Sequence, residues 1–330
     1  MVATIDSART IAQTHFVEGD CTIASLGTGR INRTYLVQAA DQKFVLQRMN
    51  SMFPTKIAQD FDVITKHLAD CGWEAPTVVQ TQAGRDFVEE ANGTWWRAMS
   101  FIDSDDGVPG TLKLEQYEQV GSLLARLHDD LAKLDYIPVY TIPHFHDTPH
   151  YAQRLQSVQD KLTDEMLHQL AQNMQDALEA LPELPGATTQ LIHGDPQTVN
   201  MLFRGGAPFT LIDFDTIMLA PVWIDLGDML RSLAEDALEQ GEPFPLEAIT
   251  AVAKGYYAQM APAYSEADFL HAALVATQKL ALELGMRFMT DIVEDNYFGF
   301  DTPKFSTRRE SNIHRANVQW QIYTQCKETL

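Results

Sequence analysis

Cysteine is scarce and scattered: Cys21, Cys71 and Cys326 are the three in 330 residues, and no CxxC or Cys/His spacing connects them. That spacing excludes a disulfide framework and a cysteine-based zinc site, and the thiols read as reduced. Long hydrophobic runs are missing as well. Nothing approaches the about 18 consecutive apolar residues that a membrane span needs, and the N-terminus MVATIDSARTIAQTHF lacks the basic and apolar regions of a secretion signal. A cytoplasmic protein is expected. Positive charge is also in deficit, 24 Lys and Arg against 45 Asp and Glu, for a net charge of −21. Such a surface repels phosphate polyanions, so neither nucleic acid nor an anionic membrane is an expected partner. What remains is ordinary for a globular enzyme: 45% hydrophobic and 21% charged residues, in a chain long enough for two cores.

After an opening helix that closes near Gly19, CTIASLGTGRINRTYLVQ reads as strand, glycine turn and strand, with KFVLQRMN as a third strand after AADQ. Gly27 and Gly29 let the backbone approach a ligand closely, although two such glycines also make an ordinary hairpin turn. In the third strand Val45 and Gln47 face one side, and Phe44, Leu46 and Arg48 the other. Pro54 is placed to open a helix whose buried face is Ile57, Phe61, Ile64 and Leu68. Asp60 borders that face, either solvated or paired with Arg48. Three further strands run through APTVVQTQAGRDFVEEANGTWWRAMSFI, with Asn92-Gly93 as a hairpin turn. The polar, Gly/Pro-rich DSDDGVPG then reads as a linker, dividing residues 1–102, a mostly antiparallel sheet with one helix, from residues 103–330.

The second part opens with a helix carrying Leu114, Tyr117, Gly121, Leu124, His128 and Leu131 on one stripe. Gly121 implies a close helix contact, and His128 reads as a satisfied core histidine. His144, His146 and His150 with Asp147 could form a metal cluster, but Pro143 and Pro149 mark a loop with no second ligand set. Helices fill about Tyr151 to Ala180, and a short strand follows at TTQLIH.

The densest chemistry lies in LIHGDPQTVNMLFRGGAPFTLIDFD. Asp195 stands at the end of an apolar strand, Asn200 is five residues on, and Gly205-Gly206 turns the chain back toward Asp213 and Asp215. On an ideal strand these last two carboxylates share a face. In kinase-type phosphoryl transfer one Asp accepts the proton of the attacking hydroxyl, while an Asn and a second Asp hold the magnesium that bridges the ATP phosphates. Magnesium is hard and prefers such oxygen ligands. Kinases also place a lysine on the third strand to hold the phosphates. Here Gln47 takes that position and Arg48 is the adjacent cation, and the residues leave open which of them, if either, serves.

HGDPQTVN with LIDFD resembles the aminoglycoside phosphotransferase and choline kinase superfamily, and the resemblance covers almost the whole chain. It implies an α+β, two-lobed protein-kinase-like fold and the use of ATP and Mg2+. Asp195 is then the catalytic base and Asn200 and Asp213 the metal ligands. Gly27, Thr28 and Gly29 form the phosphate-covering turn, and Asn32, Gln47, Arg48, Ser100 and Ile102 complete the nucleotide-binding set. LQRMN, FHDT, IDFDTIM with DLGDMLR, and GMRFMTDIVEDNYF together are similar to the N-acetylhexosamine 1-kinase branch. That likeness implies a small-molecule sugar partner, phosphorylated at its anomeric C1 hydroxyl, with Asp215, Arg287 and Tyr297 contacting it. Two positions depart from the branch: Arg30 stands where it usually has His, and Leu219-Ala220 where Pro-Gly occurs. Arg30 beside the sugar would favour another hexose or an acidic one.

Two other readings stay in view. The same chemistry could serve an aminoglycoside, choline, homoserine or methylthioribose. A nucleotide-binding pseudokinase would lack Asp195, Asn200 or Asp213, and all three are present. From Leu284 onward, a helix through RFMTDIV, a loop with NYFGFDTP and a final helix from about Ser311 are expected to wall the acceptor pocket.

Overall fold

Alternating apolar residues in the first hundred positions produce an antiparallel sheet, and the helical stripes that follow produce a layered helical unit. The computed structural model describes residues 4–27, 32–40, 42–105, 112–186, 188–260 and 265–330. Thr28, Gly29 and Arg30 and most of the linker therefore lie outside the described residues. Two compact units result: Met1–Ser104 with Ile137–Ile142 and Ile212–Asp215, and Asp105–Tyr136 with Pro143–Leu211 and Thr216–Leu330.

In the first unit, helix α1 (Ile5–His15) is capped by the Thr4 hydroxyl, which accepts from the Ser7 amide. Strands β1 (Cys21–Ser25), β2 (Arg33–Ala39) and β3 (Gln42–Arg48) precede helix α2 (Ile57–Asp70), and β4 (Val78–Val79), β5 (Phe87–Glu89) and β6 (Trp95–Ser100) follow it. The sheet runs β1-β2-β3-β6-β4, antiparallel throughout, with β5 on β6. Tyr35, Val37, Phe44, Leu46, Trp96 and Ala98 project from one face into a core shared with Ala8, Ile11 and Ala12 of α1.

Helix α2 begins three residues later than Pro54 suggests. The carbonyls of Pro54, Thr55 and Lys56 accept from the amides three residues on, so this first turn is tighter than an α-helix. Its apolar stripe is buried as expected, but Asp60 is not solvated. Asp60 is 2% exposed and accepts from the amides of Val139 and Tyr140 at 2.8 and 3.1 Å. Those two amides lie outside any strand among the described residues, and the buried carboxylate satisfies them.

The second unit contains α3 (Leu114–Leu131), α4 (Thr148–Val158), α5 (Glu165–Glu179), α6 (Trp223–Glu239), α7 (Leu246–Met260), α8 (Glu266–Glu294) and α9 (Arg308–Thr329). Strand β7 (Thr189–Ile192) pairs with β10 (Met218–Pro221), and β8 (Met201–Arg204) with β9 (Ala207–Leu211), both antiparallel. The 29-residue α8 packs against α9, α6 and α4, and is apolar around most of its circumference. Gly121 does mark a close approach: a Cβ there would lie 1.9 Å from the Val252 carbonyl oxygen of α7. Helix α9 starts at Arg308 on a Thr307 cap, one turn before Ser311, which is buried instead. Among the described residues no helix is long and apolar enough to cross a membrane.

Candidate active site

Strand β7 is apolar and buried at Leu191 and Ile192, so it anchors the His193-Gly194-Asp195 turn that follows it. Gly194 has φ +85°, and a Cβ on it would sit 2.3 Å from the Thr216 carbonyl oxygen. Backbone conformation and space both demand glycine. The turn is then fixed by three side chains. Asp225, in the first turn of α6, accepts from the amides of His193 and Gly194 at 2.7 and 2.8 Å. The Thr216 hydroxyl donates to the His193 carbonyl at 2.8 Å, and His146 Nε2 donates to the Gly194 carbonyl at 2.8 Å.

Each of these supports is itself supported. His128 is fully buried, with Nε2 2.9 Å from Asp225 and Nδ1 2.6 Å from the Tyr256 hydroxyl. Burial alone would raise the Asp225 carboxyl, but the His128 hydrogen bond and nearby positive charge outweigh it and hold the group below its usual range. Burial likewise lowers His146, and the hydrogen bond and charge of Glu283 more than reverse this. Glu283 lies 3.2 Å from His146 Nδ1 and also accepts from the Thr148 hydroxyl at 2.5 Å. With an acceptor at each ring nitrogen, His146 acts as a doubly donating imidazolium.

Asp195 accepts from Gln197 Nε2 at 2.6 Å and, more distantly, from Asn200 Nδ2 at 3.4 Å. Burial, followed by the charge of Asp228, pushes its carboxyl up to about 6. Asp228 is itself paired with Arg231 at 2.8 Å, and Arg231 with Glu235 at 2.5 Å. A carboxylate whose affinity for protons is raised toward neutrality is suited to general-base work. Asn200 closes a 3-10 turn (Thr198–Asn200) just before strand β8, and its Nδ2 donates to the Asp195 carbonyl at 2.9 Å. Its amide oxygen is thereby turned to the opposite side.

Within the first unit, Asp213 and Asp215 do not share a strand face. Strand β9 has ended at Leu211, Asp213 has φ +68°, and Phe214–Thr216 form a 3-10 turn. A left-handed non-glycine residue interrupts the alternation on which the strand expectation depended. Asp215 is buried, with Oδ1 accepting from Arg97 Nη1 at 2.7 Å and Oδ2 from Arg97 Nη2 at 2.8 Å. Asn32 Nδ2 lies 3.2 Å from the same Oδ2. Gln47 offers its amide oxygen to Arg97 Nη2 and Nε, while Arg48 donates to Thr94 Oγ1 at 3.2 Å. The Ser100 hydroxyl accepts from the Thr77 amide at 2.9 Å, Ile102 follows β6 half-buried, and Gly27 has φ +69°.

Arg287 is one helical turn from Glu283 on α8, so both occupy one face. Its Nη2 donates to the Tyr297 hydroxyl at 3.2 Å, and its guanidinium lies over the rings of Tyr151, Tyr297 and Phe298 at 4.8, 5.5 and 5.5 Å. Among the described residues no ion pair joins it to a carboxylate. The Tyr297 loop is shaped by Asp291, which accepts from the amides of Asn296, Tyr297 and Phe298. The histidine segment separates in two: His146 turns inward, while His144 and His150 stack at 3.7 Å with ring planes 6° apart beside Asp147. One ligand atom from each of His144, Asp147 and His150 lies within 4.8 Å of the others, a spacing that could hold a metal ion.

Asn200 and Asp213 offer only oxygen donors, which fits a hard divalent cation, and the orientation of Asn200 leaves its amide oxygen turned away from the Asp195 loop. Sequence reasoning missed Arg97, Asp225, Glu283 and Asp291. The accessible signal was Arg97 inside the otherwise apolar WWRAMS strand, since a charge at such a position requires a partner.

The antiparallel sheet unit, the helical unit and the His-Gly-Asp turn together define a protein-kinase-like α+β fold. The chain belongs to the phosphotransferase enzyme family (APH), which it matches over residues 22–284. It is therefore a phosphotransferase of that family. The fold is shared with a microcompartment-associated aminopropanol kinase at 19% identity and TM-score 0.71, covering 96% of this chain and 95% of that one. A choline kinase from Cryptosporidium parvum has 15% identity, TM-score 0.63 and coverage of 99% and 96%. Amicoumacin kinase in complex with AMP-PNP and Ca2+ has 14% identity, TM-score 0.62 and coverage of 97% and 94%.

Proposed function

We propose that the protein transfers the γ-phosphoryl group of ATP to a sugar hydroxyl, the anomeric C1 hydroxyl of a hexose or N-acetylhexosamine. Asp195 accepts the proton of that hydroxyl as its oxygen bonds to the γ-phosphorus and the bond to the β-phosphate oxygen breaks, releasing ADP. Asn200 and Asp213 hold Mg2+, which when bound neutralises charge on the phosphates. Gly27, Thr28 and Gly29 cover the phosphates with backbone, and Asn32, Ser100 and Ile102 contact the nucleotide. Gln197 and Asn200 keep the Asp195 carboxylate oriented while it carries the proton.

One observation carries the choice of acceptor. Arg287 presents a guanidinium balanced by aromatic faces and a tyrosine hydroxyl, one turn from the Glu283 that braces the catalytic loop through His146. A fixed positive charge on that helix face donates to hydroxyl oxygens and repels ammonium groups, which supports a neutral or acidic sugar over a cationic amino alcohol. Tyr297 adds a second hydroxyl contact.

An amino-alcohol or aminoglycoside acceptor is the second reading, favoured by the acids Asp228, which is buried, and Glu235, which is half-buried, although Arg231 pairs with both. ADP release measured across free sugars, aminoglycosides and amino alcohols separates the two. Turnover is expected with N-acetylhexosamines or hexoses, and turnover confined to amines would refute the sugar assignment.

A further inference from the structure

The register of β3 against β6 pairs Gln47 with Arg97, so the two side chains emerge side by side on one face of the sheet. Gln47 occupies the position at which kinases carry the phosphate-binding lysine. Its amide oxygen receives two bonds from Arg97, from Nη2 at 2.7 Å and from Nε at 3.0 Å, and its amide nitrogen lies 3.2 Å from Thr34 Oγ1. Gln47 is therefore a bracket for a cation that has moved one strand over.

That cation is 3% exposed and lies 4.6 Å over the ring of Phe61. Its other bonds form a fork onto Asp215, 2.7 Å to Oδ1 and 2.8 Å to Oδ2. Asn32 adds a third donor to that carboxylate at 3.2 Å, and its own amide oxygen accepts from the Asn50 amide at 2.9 Å. A bidentate arginine fixes the plane of a carboxylate as well as its position. Asp215 is two residues beyond Asp213, whose left-handed backbone (φ +68°) is unfavourable for a non-glycine residue unless its surroundings impose it.

We propose that Arg97 is a positioning residue: bracketed by Gln47, it clamps Asp215 and thereby holds Asp213 in the conformation that presents its carboxylate to the divalent cation. Asp215 then serves the metal end of the reaction and is not a sugar contact. The assignment rests on the reading of Asp213 as a metal ligand under the proposed function. It does not depend on which acceptor is used.

The test is Mn2+ binding in the presence of ADP, followed by electron paramagnetic resonance, together with the Mg2+ concentration for half-maximal turnover and the acceptor KM at saturating Mg2+. Arg97→Met is expected to weaken Mn2+ binding about 10-fold or more and to raise the Mg2+ requirement in parallel, with acceptor KM within about twofold of wild type. Asp215→Asn should do the same, and the double variant should be no worse than either single one, because both remove one interaction. Arg97→Lys, which keeps the charge but loses the fork, should fall between. Unchanged Mn2+ affinity in these variants would overturn the proposal, as would a rise in acceptor KM at constant Mn2+ affinity, which would return Asp215 to the sugar. If Arg97→Met does not fold, Arg97→Lys and Asp215→Asn carry the same comparison. If no sugar is phosphorylated, the sugar reading fails while Mn2+ binding still decides the clamp.

Discussion

The turn carrying Asp195 and the turn carrying Asp213 are held in opposite ways. Around the Asp195 turn, Asp225 accepts from two amides while Thr216 and His146 donate to one carbonyl each, and the three come from different parts of the second unit. Around the Asp213 turn, one guanidinium provides both of the short bonds to Asp215, with a longer one from Asn32. The first arrangement is redundant and spreads its energy over many partners. The second concentrates specificity in one residue, so its loss should be felt in metal handling before it is felt elsewhere.

The largest effect is expected at Asp195 itself. Replacing it by Asn leaves the surrounding turn in place and removes the proposed base, so kcat should fall by about 10² to 10⁴ with little change in melting temperature. Near-normal turnover would show that the proton goes elsewhere. Asp225→Ala should strike the redundant support at its centre, because it strands two buried amides and the His128 ring together. A loss of about 3–5 kcal/mol in denaturant unfolding is expected for breaking one side of a buried charged pair, and a loss under about 1 kcal/mol would mean that the turn is held mainly by Thr216 and His146.

Arg287→Ala should raise acceptor KM by roughly 10-fold, the order expected for losing a charged hydrogen bond, while the KM for ATP stays constant. The smallest effect concerns pH. His146 is raised by Glu283, so its contribution to stability is present below the ordinary histidine value of 6.5 and is lost as pH rises through the higher folded value. Glu283 is lowered, so its contribution is lost only as pH falls through a value below its ordinary 4.5. Wild-type melting temperature should accordingly decline by a few degrees above pH of about 6.5, and His146→Gln should flatten that decline without abolishing turnover. A steeper decline in the variant would contradict the pairing.

The contrast between the two turns also explains what was legible beforehand. Asp195, Asn200 and Asp213 occur within one short segment, and their spacing is a local property, so the chain displays them directly. Buried stripes such as Ile57, Phe61, Ile64 and Leu68 follow from helical period and are equally visible. Arg97 and Asp215 are separated by 118 positions and meet only through strand register and a tight turn. No local pattern announces such a pair. Asp60 was misjudged for the same reason: a carboxylate at the margin of a helix stripe looks solvated until a distant segment, residues 137–142, supplies amides to it. The shared strand face assigned to Asp213 and Asp215 failed because alternation presumes an uninterrupted strand, and φ +68° at Asp213 interrupts it.

Under the proposed function, Asp195 drives phosphoryl transfer from ATP-Mg to a free sugar hydroxyl. Phosphorus NMR of a reaction with ATP, Mg2+ and a free N-acetylhexosamine tests it directly. An anomeric sugar 1-phosphate signal should grow with the wild-type protein and be absent on the same timescale with Asp195→Asn. No sugar phosphate alongside a phosphate ester on an amino alcohol, or an undiminished signal with the variant, would contradict it.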